Sequence, residues 1–100
     1  MPQALKYDSG GKGHWVLQRL SERPHSREEL FDLGWPIYGR KALGVVRAAG
    51  SMYADGYVLH RRGQYEITPA GEGALRVLSE GRDLYPRGQP SVRVFVQRAA

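Results

Sequence analysis

The chain has 100 residues and no cysteine, with a formal net charge of +5, and twelve of its fifteen basic residues are arginine. That length suffices for one hydrophobic core and little more. The lack of cysteine rules out a disulfide framework and a cysteine-ligated zinc site, which fits a reducing compartment. No segment has the apolar run of a signal peptide or a membrane span, so the expectation is a soluble, cytoplasmic protein.

Charge is concentrated. Residues 36–64 hold Arg40, Lys41, Arg47, Arg61 and Arg62 against Asp55 alone. A basic block of this kind points to a polyanionic partner, nucleic acid before a membrane surface, or else to a solvated face that keeps the protein soluble.

Residues 1–13 are polar and glycine-rich and read as a flexible N-terminal arm. "SGGKG" at 9–13 lacks the spacing of a phosphate-binding loop. "HWVLQRLSE" (14–22) reads as a first helix with Val16, Leu17 and Leu20 on one face, stopped by Pro24. "SREELFDL" (26–33) reads as a second helix. Ser26 and Glu29 have capping-box spacing, Leu30 and Leu33 supply an apolar side, and Gly34 is placed to end it. "GWPIYG" then reads as a turn, with Trp35 and Ile37 tucked against the core.

Residues 40–56 read as a third helix ended by Gly56. At 100° per residue, Ala42, Leu43, Val46, Ala49, Gly50, Tyr53 and Tyr57 share one side, expected to be core. Arg40, Lys41, Gly44, Arg47, Ala48, Ser51 and Asp55 share the other, where small residues between cations would admit a close approach to another surface. "YVLHR" (57–61) and "QYEIT" (64–68) read as a hairpin turning at "RRGQ", with Tyr57, Leu59, Tyr65 and Ile67 pointing one way. Thr68 is a good N-cap and Pro69 suits a first helical position, so a fourth helix follows, with Ala70, Ala74, Leu75 and Leu78 as its apolar side. Residues 80–91 read as loop. Residues 92–98 alternate like a strand, and their exposed edge offers a pairing site within the chain or to another chain.

"MYADGYVLHRRGQYEITPAGEGAL" resembles the end of the winged helix-turn-helix domain in MarR-like and PadR-like regulators. The matching residues are Gly56-Tyr57-Val58 and Tyr65-Glu66-Ile67-Thr68-Pro69-Ala70-Gly71, and the resemblance covers about residues 14–78. It implies a small α+β winged helix-turn-helix of three helices, a hairpin wing, a fourth helix and a C-terminal strand. The expected organisation is an arm over 1–13, the winged domain over 14–80, and a loop with a strand over 81–100.

The implied activity is double-stranded DNA binding in transcriptional regulation, of bacterial or phage type. The third helix would enter the major groove and the wing tip would touch the backbone or minor groove. The expected DNA contacts are Ser26, Arg27, Arg40, Lys41, Gly44, Arg47, Ser51, Arg61 and Arg62. A homodimer would match paired half-sites. The competing reading is a winged helix used as a protein–protein interaction module without DNA binding.

His14, His25 and His60 lie on three elements without ligand spacing, with His14 expected at the surface, and no nucleophile–base pair stands out. No metal, cofactor or enzymatic activity is therefore expected. Trp15 and Trp35 are expected to be core aromatics, and Tyr38 and Tyr85 surface candidates for stacking.

Overall fold

The computed structural model describes residues 7–85, and the expected C-terminal strand at 92–98 lies outside them. The chain forms an α+β domain. In order it contains α1 (Lys12–Glu22), β1 (His25–Ser26), α2 (Arg27–Tyr38), a 3-10 helix (Gly39–Ala42), α3 (Leu43–Ala54), β2 (Val58–Arg61), β3 (Gln64–Ile67) and α4 (Pro69–Ser79). The antiparallel sheet has the order β1-β3-β2.

Local signals act where they are expected. Val16, Leu17 and Leu20 are buried on the inner side of α1. At the start of α2 the Ser26 hydroxyl accepts from the Glu29 N–H at 3.0 Å, and the Glu29 carboxylate accepts from the Ser26 N–H at 2.9 Å. That backbone bond is the main reason the Glu29 carboxyl titrates below its ordinary range. Thr68 caps α4 by accepting from the Gly71 N–H at 3.0 Å, with Pro69 in the first turn. Ala74 and Leu78 of α4 are buried, whereas Ala70 is exposed.

Within the expected arm, Tyr7 and Gly13 are buried and Lys12–Gly13 already belong to α1, while residues 1–6 lie outside the described part. Tyr7 and Leu84 form a backbone bridge, each N–H donating to the other's carbonyl at 2.9 Å. The Tyr7 ring is buried, and its hydroxyl donates to Asp55 Oδ2 at 2.8 Å. Burial and the Asp55 charge push the Tyr7 phenol above its ordinary range. A buried aromatic five residues before α1 ties the entry segment to the end of α3, which glycine content alone does not reveal.

The second helix runs on to Tyr38, through Gly34 and Pro36, so "GWPIYG" is not a turn. Gly34 is buried within the helix where α2 meets α3: a Cβ there would lie 3.2 Å from Val45 Cγ2. Pro36 falls in the last turns, where its missing N–H forgoes one bond to the Asp32 carbonyl. Gly39, at φ +56°, ends the helix in its place. Continuing the helix carries Leu33, Trp35 and Ile37 to solvent, at 44%, 51% and 60% exposure, instead of into the core. Trp15, half-buried, packs edge-on to Tyr38 at 6.0 Å between centroids.

The strand face of β2 is also the reverse of the expected one. Val58 pairs with Ile67 and His60 with Tyr65, so these four share a face, while Leu59 points outward at 45% exposure. Tyr57 precedes the strand. Its N–H is bonded to the Met52 carbonyl and its ring meets Tyr7 edge-on at 6.2 Å, so the alternation starts one residue later.

His14, expected at the surface, is buried, and so is His25. His14 Nδ1 accepts from the Gly10 N–H at 2.8 Å. His25 sits on β1 opposite Tyr65, with neither ring nitrogen hydrogen-bonded among the described residues. Burial holds both imidazoles below their ordinary range, and at His25 the Arg23 charge adds to it. The unfolded chain therefore takes up these protons first as pH falls, and stability is lost below about pH 6.5. The urea midpoint is expected to drop between roughly pH 7 and pH 5, where carboxylates remain ionised. His25→Phe should flatten part of that slope; an equal slope in the variant would place the acid sensitivity elsewhere.

Candidate nucleic-acid interface

The third helical segment begins as the 3-10 helix over Gly39–Ala42 and becomes α-helical at Leu43. Its buried residues are Ala42, Val45, Ala49 and Met52. The expected core side centred instead on Leu43, Val46 and Gly50, so the helix is turned by a little under one residue's 100°. Leu43 and Tyr53, expected inside, are exposed at 49% and 53%, and Val46 is only half-buried. Leu43, Arg47, Gly50 and Ala54 are all exposed and follow one another at helical spacing along the outermost line.

This rotation redistributes the expected contact residues. Arg40 and Lys41 are exposed on the 3-10 helix and Arg47 on α3. Gly44 instead faces α1 and is covered by the Lys12 side chain: a Cβ on it would lie 2.9 Å from Lys12 Cδ. Ser51 turns toward the Tyr7 hydroxyl and is half-buried. Ser26 is occupied as the α2 cap. Arg27, exposed at the start of α2, lies across a groove of about 410 Å³ from Leu43 and Val46, with Phe31, Glu28 and Asp32 on its own wall. On the other flank of α3, Arg47 and Lys12 share a second groove of about 340 Å³.

The hairpin tip is the most sharply defined part. Arg61 pairs with Gln64, which leaves Arg62-Gly63 as a two-residue loop with φ of +55° and +76°. Two successive positive φ values make a type I′ turn, whose twist matches that of the strands it joins. Arg62 is therefore a non-glycine residue in the left-handed region, exposed at the apex. Arg61 behaves differently. Its Nε and Nη2 donate to the two Glu66 carboxylate oxygens at 3.2 and 3.0 Å, and this pairing raises the guanidinium pKa and lowers that of Glu66. The two adjacent arginines thus divide between an internal pair with Glu66 and an exposed apex whose charge also bears on Glu66. On the inner face the exposed His60 ring stacks on Tyr65 at 4.5 Å and meets Tyr53 edge-on at 6.2 Å, fastening the hairpin to the end of α3.

Arg27, Arg40, Lys41, Arg47 and Arg62 have no ion-pair partner among the described residues. Lys12, whose ammonium lies 5.2 Å from the Tyr38 ring centroid, and the groove-lining Phe31, Leu43 and Val46 are not among the contact residues expected from the sequence. Leu43 and Val46 were missed because both fell on the side of the wheel assigned to the core. Among the described residues no group of three His, Asp or Glu side chains is placed to hold a metal ion, and no helix is long and apolar enough to cross a membrane. No protein family, curated protein or solved structure matches the chain.

Proposed function

We propose that the domain is a winged helix-turn-helix that binds double-stranded DNA, acting in transcriptional regulation, with α3 as the groove helix and the β2–β3 hairpin as the wing. The observation that carries this reading is the set of five exposed cations without an ion-pair partner among the described residues, on the start of α2, the 3-10 helix, α3 and the hairpin apex. Two helices joined through a short turn holding Gly39, followed by an antiparallel hairpin, support the same reading. Arg40, Lys41 and Arg47 would meet phosphates or base edges beside α3, Arg27 a phosphate at the start of α2, and Arg62 the backbone or minor groove at the wing tip. Arg61 serves by orienting the wing through Glu66 rather than as a primary phosphate contact.

Fluorescence anisotropy with a labelled random duplex at roughly 50 and 200 mM salt tests this, since each phosphate neutralised adds about 0.9 to the slope of log K against log salt. Steep loss of binding with salt is the expected result, and no binding at the lower salt would refute the reading. Arg62→Asn provides a sharper check. Asparagine relieves the left-handed strain, on the order of 1 kcal/mol, and so should raise the melting temperature while weakening DNA binding. Unchanged affinity in this variant would show that the apex does not touch DNA.

One observation favours a second reading. Leu33 and Ile37, one helical turn apart near the end of α2, together expose large apolar side chains, a surface type found at protein–protein contacts. A winged-helix interaction module, or a homodimer joined through this end of α2, would cover it. Light scattering across a concentration series distinguishes the dimer from a monomer.

A further inference from the structure

Resting on the DNA-binding reading, we infer that α3 reads the major groove chiefly through thymine methyl groups, with Leu43 and Val46 as the methyl-contacting residues and Arg47 as the one hydrogen-bonding reader. The starting point is the rotation of the helix. The line that faces away from the core is Leu43, Arg47, Gly50 and Ala54, flanked on one side by Val46 and the exposed Tyr53. Of these six, Arg47 alone carries a charge or a donor fork suited to a base edge. Major-groove recognition by polar side chains needs amide, guanidinium or carboxylate groups in register with the bases, and this face supplies one.

An apolar reading face still has a partner in DNA. The only apolar group on a base edge in the major groove is the C5-methyl of thymine. Leu43 is half-exposed, and with Val46 and Phe31 it forms the apolar side of the groove beside α2. Gly50 and Ala54, further along the line, keep the rest of the helix low enough to enter. The surrounding charge selects DNA over an apolar protein as the occupant, because Arg27 stands at one wall of this groove and Arg47 on the opposite flank of α3, neither with an ion-pair partner among the described residues. Glu28 and Asp32 lie on the α2 wall and repel phosphates there, which places the sugar-phosphate strands toward Arg40 and Lys41 instead. The preferred target is then a duplex with thymines opposite Leu43 and Val46 and a guanine, through O6 and N7, opposite Arg47.

The test compares a labelled A·T-rich duplex containing interspersed G·C pairs with the same duplex carrying uracil in place of every thymine, which removes the methyls and leaves the hydrogen-bonding edges intact. Covering a methyl changes affinity by roughly fourfold, so two methyls give about a tenfold preference or more for the thymine duplex. Leu43→Ser, at an exposed position, should lower that preference to about the fourfold that Val46 alone supplies, and Leu43→Ser combined with Val46→Ser should abolish it. Equal wild-type affinity for the two duplexes, with steep salt dependence on both, would overturn methyl readout and leave the DNA-binding reading standing. A preference unchanged in Leu43→Ser and in the double variant would overturn the assignment to this face. Absence of binding to either duplex at low salt would overturn the DNA-binding reading itself, and this inference with it.

Discussion

Gly71→Ala is expected to be the most damaging single-methyl change in the domain. Gly71 is buried in the first turn of α4, directly over the bend that leads from α3 into β2. A Cβ at this position would penetrate the Tyr57 carbonyl oxygen and lie 2.8 Å from Ile67 Cγ1 and 3.0 Å from the Tyr57 carbonyl carbon. Two of these atoms are backbone, so no side-chain rotation relieves the clash. The same carbonyl accepts from the Thr68 N–H at 3.1 Å, and the Thr68 hydroxyl donates to the Gly56 carbonyl at 2.8 Å. Moving α4 away to make room would break the knot that holds hairpin, bend and helix together. Overpacking of this kind costs about 3 kcal/mol or more. In a domain this small the melting temperature should fall by on the order of 15 °C, or the cooperative transition should vanish. A urea midpoint equal to that of the wild type would show that the helix start can shift freely. The same contact explains physically why a Thr-x-x-Gly step follows the hairpin here: the threonine caps the helix and the glycine lets it sit on the bend.

The second large effect separates two adjacent valines. Val45→Asp should abolish folding, because Val45 is fully buried between α2 and the core and an ionised carboxylate there has no partner. Val46→Asp should leave a folded protein, with a loss of about 1 kcal/mol, because Val46 is half-buried at a groove open to solvent. The sequence taken alone predicts the opposite assignment, with Val46 on the core side. Circular dichroism melts of the two variants decide the matter. If Val46→Asp unfolds and Val45→Asp does not, the helix is rotated from the orientation described, and the proposed reading face turns with it. Folded Val46→Asp should also bind DNA weakly, since it sets a negative charge beside Arg47 on that face.

Local chemistry was legible in the sequence because it acts over three or four residues. The Ser26–Glu29 box, the Thr68-Pro69 start of α4 and the tight turn at Arg62-Gly63 each depend on neighbours in the chain. The positions of Arg40, Lys41, Arg47 and Arg62 at exposed sites follow from the same local reasoning. The fate of Arg61 does not, since its pairing with Glu66 depends on strand register. Ser26 is the cap that its spacing from Glu29 predicts, whereas Gly44 and Ser51 lie on the expected helix but their neighbours make them a Lys12-covered surface and a Tyr7 contact.

Composition and spacing by themselves determined that this chain forms helices followed by a tight basic hairpin and a capped helix, and that its positive charge gathers in the middle. Only the tertiary structure decided which side of α3 faces out. Two stripes at helical spacing compete on that helix: Leu43, Val46, Gly50 and Tyr53, and Val45, Ala49 and Met52. Hydrophobicity does not choose between them. The choice is made by the surfaces opposite, where Gly34 leaves room for Val45 and Gly13 for Met52, whose Cε would lie 2.7 Å from a Cβ at that glycine. Close packing against two glycines far away in sequence buries one stripe and leaves the other to solvent, because a packed interior accepts only the side chains that fit its gaps.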